Sequence, residues 1–166
     1  MPNRQPSPAF IIRLARTSDV PEMARLFSEL GYEIPADVLA RRFAAFSDAG
    51  EHALVVEDAS SAGHLLGVAT LHTTPVLHRA GSVGRVTSLV VDATFRGCGI
   101  GRALMEEAER WAAAQGCVLL EVTSNQRRVD AHQFYERLGY ERTSYRFARA
   151  PHVNDVLNAG TQSHDR

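Results

Sequence analysis

Two cysteines, Cys98 and Cys117, are all that the 166 residues contain. They stand in no C-x-x-C or Cys/His cluster, so the chain can build neither a disulfide framework nor a zinc site of the usual spacing. Long apolar runs are missing too: none approaches the ~20 residues needed to span a bilayer. Residues 1–8 are Pro-rich and polar, without the apolar stretch of a secretory leader. Net charge is almost absent, with 18 basic residues against 19 acidic ones. That balance removes any general attraction to nucleic acid or to an anionic membrane, so an anion bound here must be held by a local site. A cytoplasmic protein with reduced thiols is the expectation.

What is present fits one soluble domain. Hydrophobic residues make up 45% and charged residues 22%, the balance of a chain that buries a core. No internal repeat occurs. Residues 1–9 read as an N-terminal extension, 10–150 as the domain, and 151–166 as a polar tail.

Phe10 to Ala15 reads as a strand. Thr17-Ser18-Asp19 offers capping oxygens to a helix through Pro21, whose buried face is Val20, Met23, Ala24, Phe27 and Leu30. A second helix spans roughly Ala36 to Ala45. Ala53 to Glu57 and Leu65 to Leu71 are strands of a hairpin, and Arg85 to Val91 is a β-branched strand. Then come a helix from about Ile100 to Gln115, a strand at Val118 to Thr123, a helix at Val129 to Leu138 and a last strand at Tyr140 to Ala148. The order β-α-α-β-β-β-α-β-α-β predicts a mixed α/β fold with one strand–helix–strand crossover at its centre.

The chemistry concentrates where that crossover turns. Arg96-Gly97-Cys98-Gly99-Ile100-Gly101-Arg102 places three glycines at alternate positions just where a helix begins. Glycines let backbone approach a ligand closely. A helix start presents unpaired N–H groups and a positive dipole end, and Arg96 and Arg102 add charge at the rim. A phosphate or pyrophosphate is the natural occupant. A nucleotide-hydrolysing loop would need Lys-Ser/Thr after the last glycine, but Arg102-Ala103 follows Gly101. A dinucleotide fingerprint needs G-x-G-x-x-G directly after the strand, whereas this G-x-G-x-G lies several residues beyond Val91. Glu121 imitates that fingerprint's ribose-binding acid, which keeps a nicotinamide or flavin enzyme as an alternative.

Arg96-x-x-Gly99-x-Gly101, after the strand Ser88-Leu89-Val90-Val91, resembles the acetyl-CoA loop of the GNAT superfamily of N-acetyltransferases. Ala131-His132-Gln133-Phe134-Tyr135-Glu136-Arg137-Leu138-Gly139-Tyr140 is similar to the family's A-x-x-F/L-Y-E-K/R-x-G-F/Y helix, and falls one strand later as in the family. The opening Ile12-Arg13-Leu14-Ala15-Arg16-Thr17-Ser18-Asp19 is also similar. The resemblance covers residues 10–148 and implies a central twisted mixed sheet flanked by helices, with splayed central strands.

It further implies acetyl-CoA as co-substrate. Leu89, Val90 and Val91 would run beside the pantetheine arm, and the amides of Gly97, Cys98, Gly99, Ile100, Gly101 and Arg102 would hold the pyrophosphate. The family's frequent Asn seven residues before the tyrosine is Arg128 here, which leaves Ser124 or Asn125 to anchor the pantetheine end of the next strand. Tyr135 would protonate the departing thiolate after direct attack by the amine. Where many members carry a glutamate, this chain reads Arg85-Val86-Thr87-Ser88. His72, His78 and Glu121 are therefore the candidates for the base. Glu29, Tyr32 and Glu33 could receive a cationic amine. A small-molecule primary amine is the expected acceptor; a homodimer is common in such a family. The competing class is an acyl-CoA-binding module that kept the loop and lost the chemistry.

Overall fold

The computed structural model describes residues 8–150; residues 1–7 and 151–166, with most of the two expected extensions, lie outside them. Five strands form one sheet in sequence order: β1 (Phe10–Leu14), β2 (His52–Asp58), β3 (Leu65–Thr74), β4 (Ser82–Val91) and β5 (Cys117–Val122). The first four pair antiparallel, and β4 pairs parallel with β5 across the crossover helix. The mixed α/β expectation holds. An antiparallel run of four strands is not a dinucleotide-binding βαβαβ array, so the nicotinamide or flavin alternative falls on topology.

Helices α1 (Val20–Ser28) and α2 (Ala36–Asp48) cover one face, and α3 (Ile100–Ala114) and α4 (Val129–Arg137) the other. Alternation along the strands separates the two cores. Val55 and Val68 join Val20, Met23 and Leu26 under α1, whereas Leu54, Ala69 and Leu71 join Ile100, Leu104, Met105 and Ala108 under α3. The buried face of α3 is Ile100, Leu104, Met105, Ala108 and Ala112, with Trp111 partly buried against the same core. Gly67 lets α3 press onto the sheet, since a Cβ there would meet Leu104 and Ile100 at 3.2 and 3.3 Å.

Two local expectations are corrected. Asp19 does not cap α1; its carboxylate accepts from Arg16 N at 2.7 Å and from Arg13 Nη1 and Nη2 at 2.7 and 2.8 Å. Arg13 also donates to Glu57, so the acid locks the β1–α1 turn onto β2, and Pro at the first turn starts the helix. The strand expected at Tyr140 to Ala148 is not formed. Residues 141–150 are exposed without helix or strand, Tyr145 and Phe147 among them. β-prone residues alternate there with polar ones, but propensity alone does not make a ladder, and the segment joins none of the five strands.

Candidate active site

The two central strands diverge. β4 and β5 pair from Ser82↔Cys117 to Val86↔Val122, after which β5 ends while β4 continues to Val91 against β3. The edge of residues 87–91 therefore faces an open gap. A bulge lies at its apex: Thr70 pairs with Ser88 and Leu71 with Val86, which leaves Thr87 as the extra residue. Leu89 and Val91 then face the α3 core and Val90 the α1 core.

Beyond Val91 the chain makes a single 3-10 turn and enters the glycine loop. Gly97 and Gly99 have φ of +80° and +86°, with open space where a Cβ would point. A side chain would be strained there by backbone conformation, not by crowding. Cys98 N donates to Phe95 O and Ala103 N to Gly99 O, but the amides of Gly99, Ile100, Gly101 and Arg102 find no acceptor among the described residues. Four unpaired donors at the start of a fifteen-residue helix, with glycine-made room before them, fit a pyrophosphate. Gly101 is glycine for a different reason: its Cβ would lie 3.2 Å from Cζ of Phe134. The two motifs thus touch, and α4 docks directly on the loop.

The loop is tied back to α1. Asp92 accepts from Thr94 N at 2.9 Å and from Arg25 Nη1 at 2.6 Å. Burial alone would push Asp92 up, but these two donors prevail and hold it below the usual carboxylate range. Arg25 also reaches Leu65 O and Glu22. Glu29 accepts from Ala93 N at 2.9 Å and from Arg96 Nη2 at 2.8 Å, and Arg96 Nε donates to Val91 O. Glu29 is thus engaged as a tether, not free to receive an amine. Arg96 braces the loop, whereas Arg102 stands exposed at its rim. Nothing in the sequence signals the contact between Arg25 and Asp92, 67 residues apart.

Tyr135 follows Phe134 on α4, its ring edge-on to Phe134 and Tyr140 at 5.2 and 6.1 Å. Burial raises its phenol above the ordinary value, with Arg128 opposing, so the hydroxyl keeps its proton at neutral pH. No hydrogen bond occupies that hydroxyl among the described residues. Tyr140, by contrast, spends its own on Glu109 at 2.9 Å. Asn125 is turned inward on its own loop: Oδ1 accepts from Arg127 N, and its carbonyl from Arg128 N and a His132 ring nitrogen. It shapes the entry to α4, apart from the glycine loop.

On the α1 side of the apex the sheet face is polar. Thr70 Oγ1 lies 2.7 Å from Thr87 Oγ1 and 2.5 Å from Ser88 Oγ. One step further along, His72 pairs across β3 and β4 with Arg85, and Arg85 across β4 and β5 with Glu121. Arg85 Nε donates to Glu121 at 2.6 Å and Nη2 adds a second bond. A cavity of about 300 Å3 continues from this row, lined by Thr74, His78, Arg79, Arg85, Leu119 and Glu121 among others. Among the described residues no cluster of metal-ligating side chains occurs and no helix is long and apolar enough to cross a membrane.

The family model described as the acetyltransferase (GNAT) family matches residues 19–140, most of the chain. The chain belongs to that family, whose members use acetyl-CoA. It is 40% identical over 88 residues to the aminoalkylphosphonate N-acetyltransferase of Salmonella typhimurium, covering 53% of this chain and 57% of that one. It is 33% identical over 79 residues to the glucosamine 6-phosphate N-acetyltransferase of Trypanosoma brucei brucei, covering 47% and 52%. The chain thus spans about half the length of these relatives. A crystal structure of a Trypanosoma brucei acetyltransferase superposes with a TM-score of 0.73 at 26% identity, over 86% of this chain and 99% of that one.

Proposed function

We propose that the protein transfers the acetyl group of acetyl-CoA to the primary amine of a small molecule, by direct attack while both are bound. The observation that carries this reading is the row of four unpaired amides at Gly99 to Arg102, opening on the gap beside β4 and joined through Gly101–Phe134 to the helix of Tyr135. In this reading Leu89, Val90 and Val91 flank the pantetheine arm as a strand edge flanks a peptide. The loop from Arg96 to Arg102 holds the pyrophosphate, with Gly97 and Cys98 contributing backbone. Asn125 supports the far side of the gap. Tyr135, protonated and without a hydrogen-bond partner among the described residues, supplies the proton that the leaving thiolate needs. A module that merely bound acyl-CoA would have no use for a free phenol at this place.

The acceptor we favour is a small amine that also carries an anion. The cavity beside Arg85 has His78 and Arg79 in its lining, and its one carboxylate, Glu121, is neutralised by Arg85. The names of two relatives, an aminoalkylphosphonate and a glucosamine 6-phosphate acetyltransferase, support the same choice. An assay of CoA release with acetyl-CoA tests it. Aminoalkylphosphonates or hexosamine 6-phosphates should turn over, and the matching amines without the anion should have much higher KM. Equal KM values for charged and uncharged amines would refute the anion, and no transfer to any amine would refute the enzyme.

A further inference from the structure

Direct attack needs a neutral amine, yet an alkylamine enters as an ammonium ion and must also shed a proton as the new bond forms. Strand β4, which borders the gap, contains no carboxylate. Of the three candidates for the base, Glu121 is held by two bonds from Arg85, and His78 stands exposed in the loop after β3. His72 is placed differently. It lies on β3 two residues from Thr70, on the same face, and so about 7 Å from the apex where the strands part. The linked hydroxyls of Thr70, Thr87 and Ser88 occupy the interval.

A second observation bears on the same ring. Glu51, just before β2, places Oε2 3.8 Å from His72 Nδ1. That oxygen is buried and has no hydrogen-bond partner among the described residues. A buried, unsatisfied carboxylate oxygen is costly, and a proton arriving on His72 would give it a charged donor to face. A base whose one nitrogen is aligned by a carboxylate, leaving the other for the proton in transit, is the usual construction of such a site.

Resting on the acetyltransferase reading above, we propose that the polar strip beside the apex receives the acceptor amine, with His72 as its proton acceptor and Glu51 positioning the ring. Nε2 of His72 takes one proton from the ammonium, directly or through a hydroxyl or water, and releases it to solvent. The neutral nitrogen attacks the thioester carbon. As the C–N bond forms and the C–S bond breaks, the nitrogen's surplus proton passes to His72, and the thiolate takes the Tyr135 proton. Solvent exchange then returns both side chains to their starting forms. The groups facing His72 are Glu51 before β2, Arg85 on β4 and Glu121 on β5. Burial first, then Arg85, hold the imidazole below its ordinary value, with Glu121 opposing. The ring is therefore neutral and able to accept a proton at pH 7.

The test is the pH profile of kcat/KM for the amine in wild type, His72→Gln and Glu51→Gln, with acetyl-CoA affinity measured calorimetrically in each. His72→Gln should lower kcat/KM about 100-fold, the order of a lost general base, and abolish the acidic limb while acetyl-CoA still binds. An amine of low basicity, already neutral at pH 7, should recover much of the loss. Glu51→Gln should keep the limb but move it to lower pH by at least about half a unit, because a carboxylate favours the protonated ring; a residue with only a structural role would not move it. Retained acetyl-CoA binding with an unchanged limb and a loss under about threefold in His72→Gln, on that same scale, overturns His72 alone. Wild type that binds no acetyl-CoA overturns the acetyltransferase reading and this assignment with it.

Discussion

The two sides of the β4–β5 gap are built from different materials. On the cofactor side the groups are almost all backbone: the amides of residues 99–102, positive φ at Gly97 and Gly99, and the flush contact of Gly101 with Phe134. On the side proposed for the acceptor they are side chains: Thr70, His72, Arg85, Thr87 and Glu121, projecting from three strands. A backbone site constrains sequence through conformation, so few residue types can serve and the pattern is recognisable. A side-chain strip constrains sequence only through partners distant along the chain, so it can be retuned to another acceptor without disturbing the loop. In the proposed reading the fold keeps a fixed reagent on one side and an adjustable one on the other.

If that division holds, substitutions on each side should separate in kinetics. The largest effect is expected from Tyr135→Phe, which removes the proton donor and leaves the rings packed. It should lower kcat about 100-fold or more while acetyl-CoA affinity, by calorimetry, stays near wild type. Unchanged turnover would remove Tyr135 from the chemistry. Gly99→Val should do the reverse. Forcing a β-branched residue to φ +86° costs about 1–3 kcal/mol, so acetyl-CoA affinity should fall about tenfold or more, with kcat at saturation much less affected. Parallel losses of kcat and affinity in both variants would erase the distinction between the two sides.

Asp92 joins the regions, standing at the end of β4 with Arg25 of α1 on one oxygen and Thr94 N on the other. Asp92→Asn should lower stability by about 2 kcal/mol, the order for breaking a largely buried charged hydrogen bond, read from urea midpoints. The acid has a sign that can be checked. Its folded pKa is depressed below the ordinary 3.8, so near that pH the unfolded chain binds more protons than the native one. The contribution of Asp92 is present above pH ~4 and disappears as pH falls through the folded value. The Asn variant should accordingly lose less stability than wild type between neutral and acid pH. The smallest effect is expected from Glu29→Gln. It loosens an exposed tether to Arg96 and Ala93 and should raise KM for acetyl-CoA only about twofold to threefold, in keeping with the modest worth of surface pairs.

How much of this was legible follows from the same contrast. Gly97 and Gly99 could be read because only glycine suits a positive φ at a helix start, and Phe134-Tyr135 because the motif places them one strand later. The order of elements as far as α4, and the one strand–helix–strand crossover, followed from hydrophobic periodicity. The acceptor strip could not be read in the same way. Which face Arg85 and Thr87 occupy depends on the bulge that makes Thr87 an extra residue of β4, and one such residue reverses every side chain beyond it on that strand. Glu29 looked available because its partners Arg96 and Ala93 lie far along the chain. Asp19 looked like a cap because its bond to Arg13 reaches backward from the helix. Tyr140 to Ala148 looked like a strand because propensity is visible in sequence and the lack of a ladder partner is not.

The most direct test of the account is a calorimetric titration of the purified protein with acetyl-CoA, with NAD run in parallel. Saturable binding of acetyl-CoA near one site per chain, lost or greatly weakened in Gly99→Val and kept in Tyr135→Phe, is the predicted result. No heat with acetyl-CoA, or binding that Gly99→Val leaves intact, would contradict the claim that the backbone of residues 97–102 holds the cofactor.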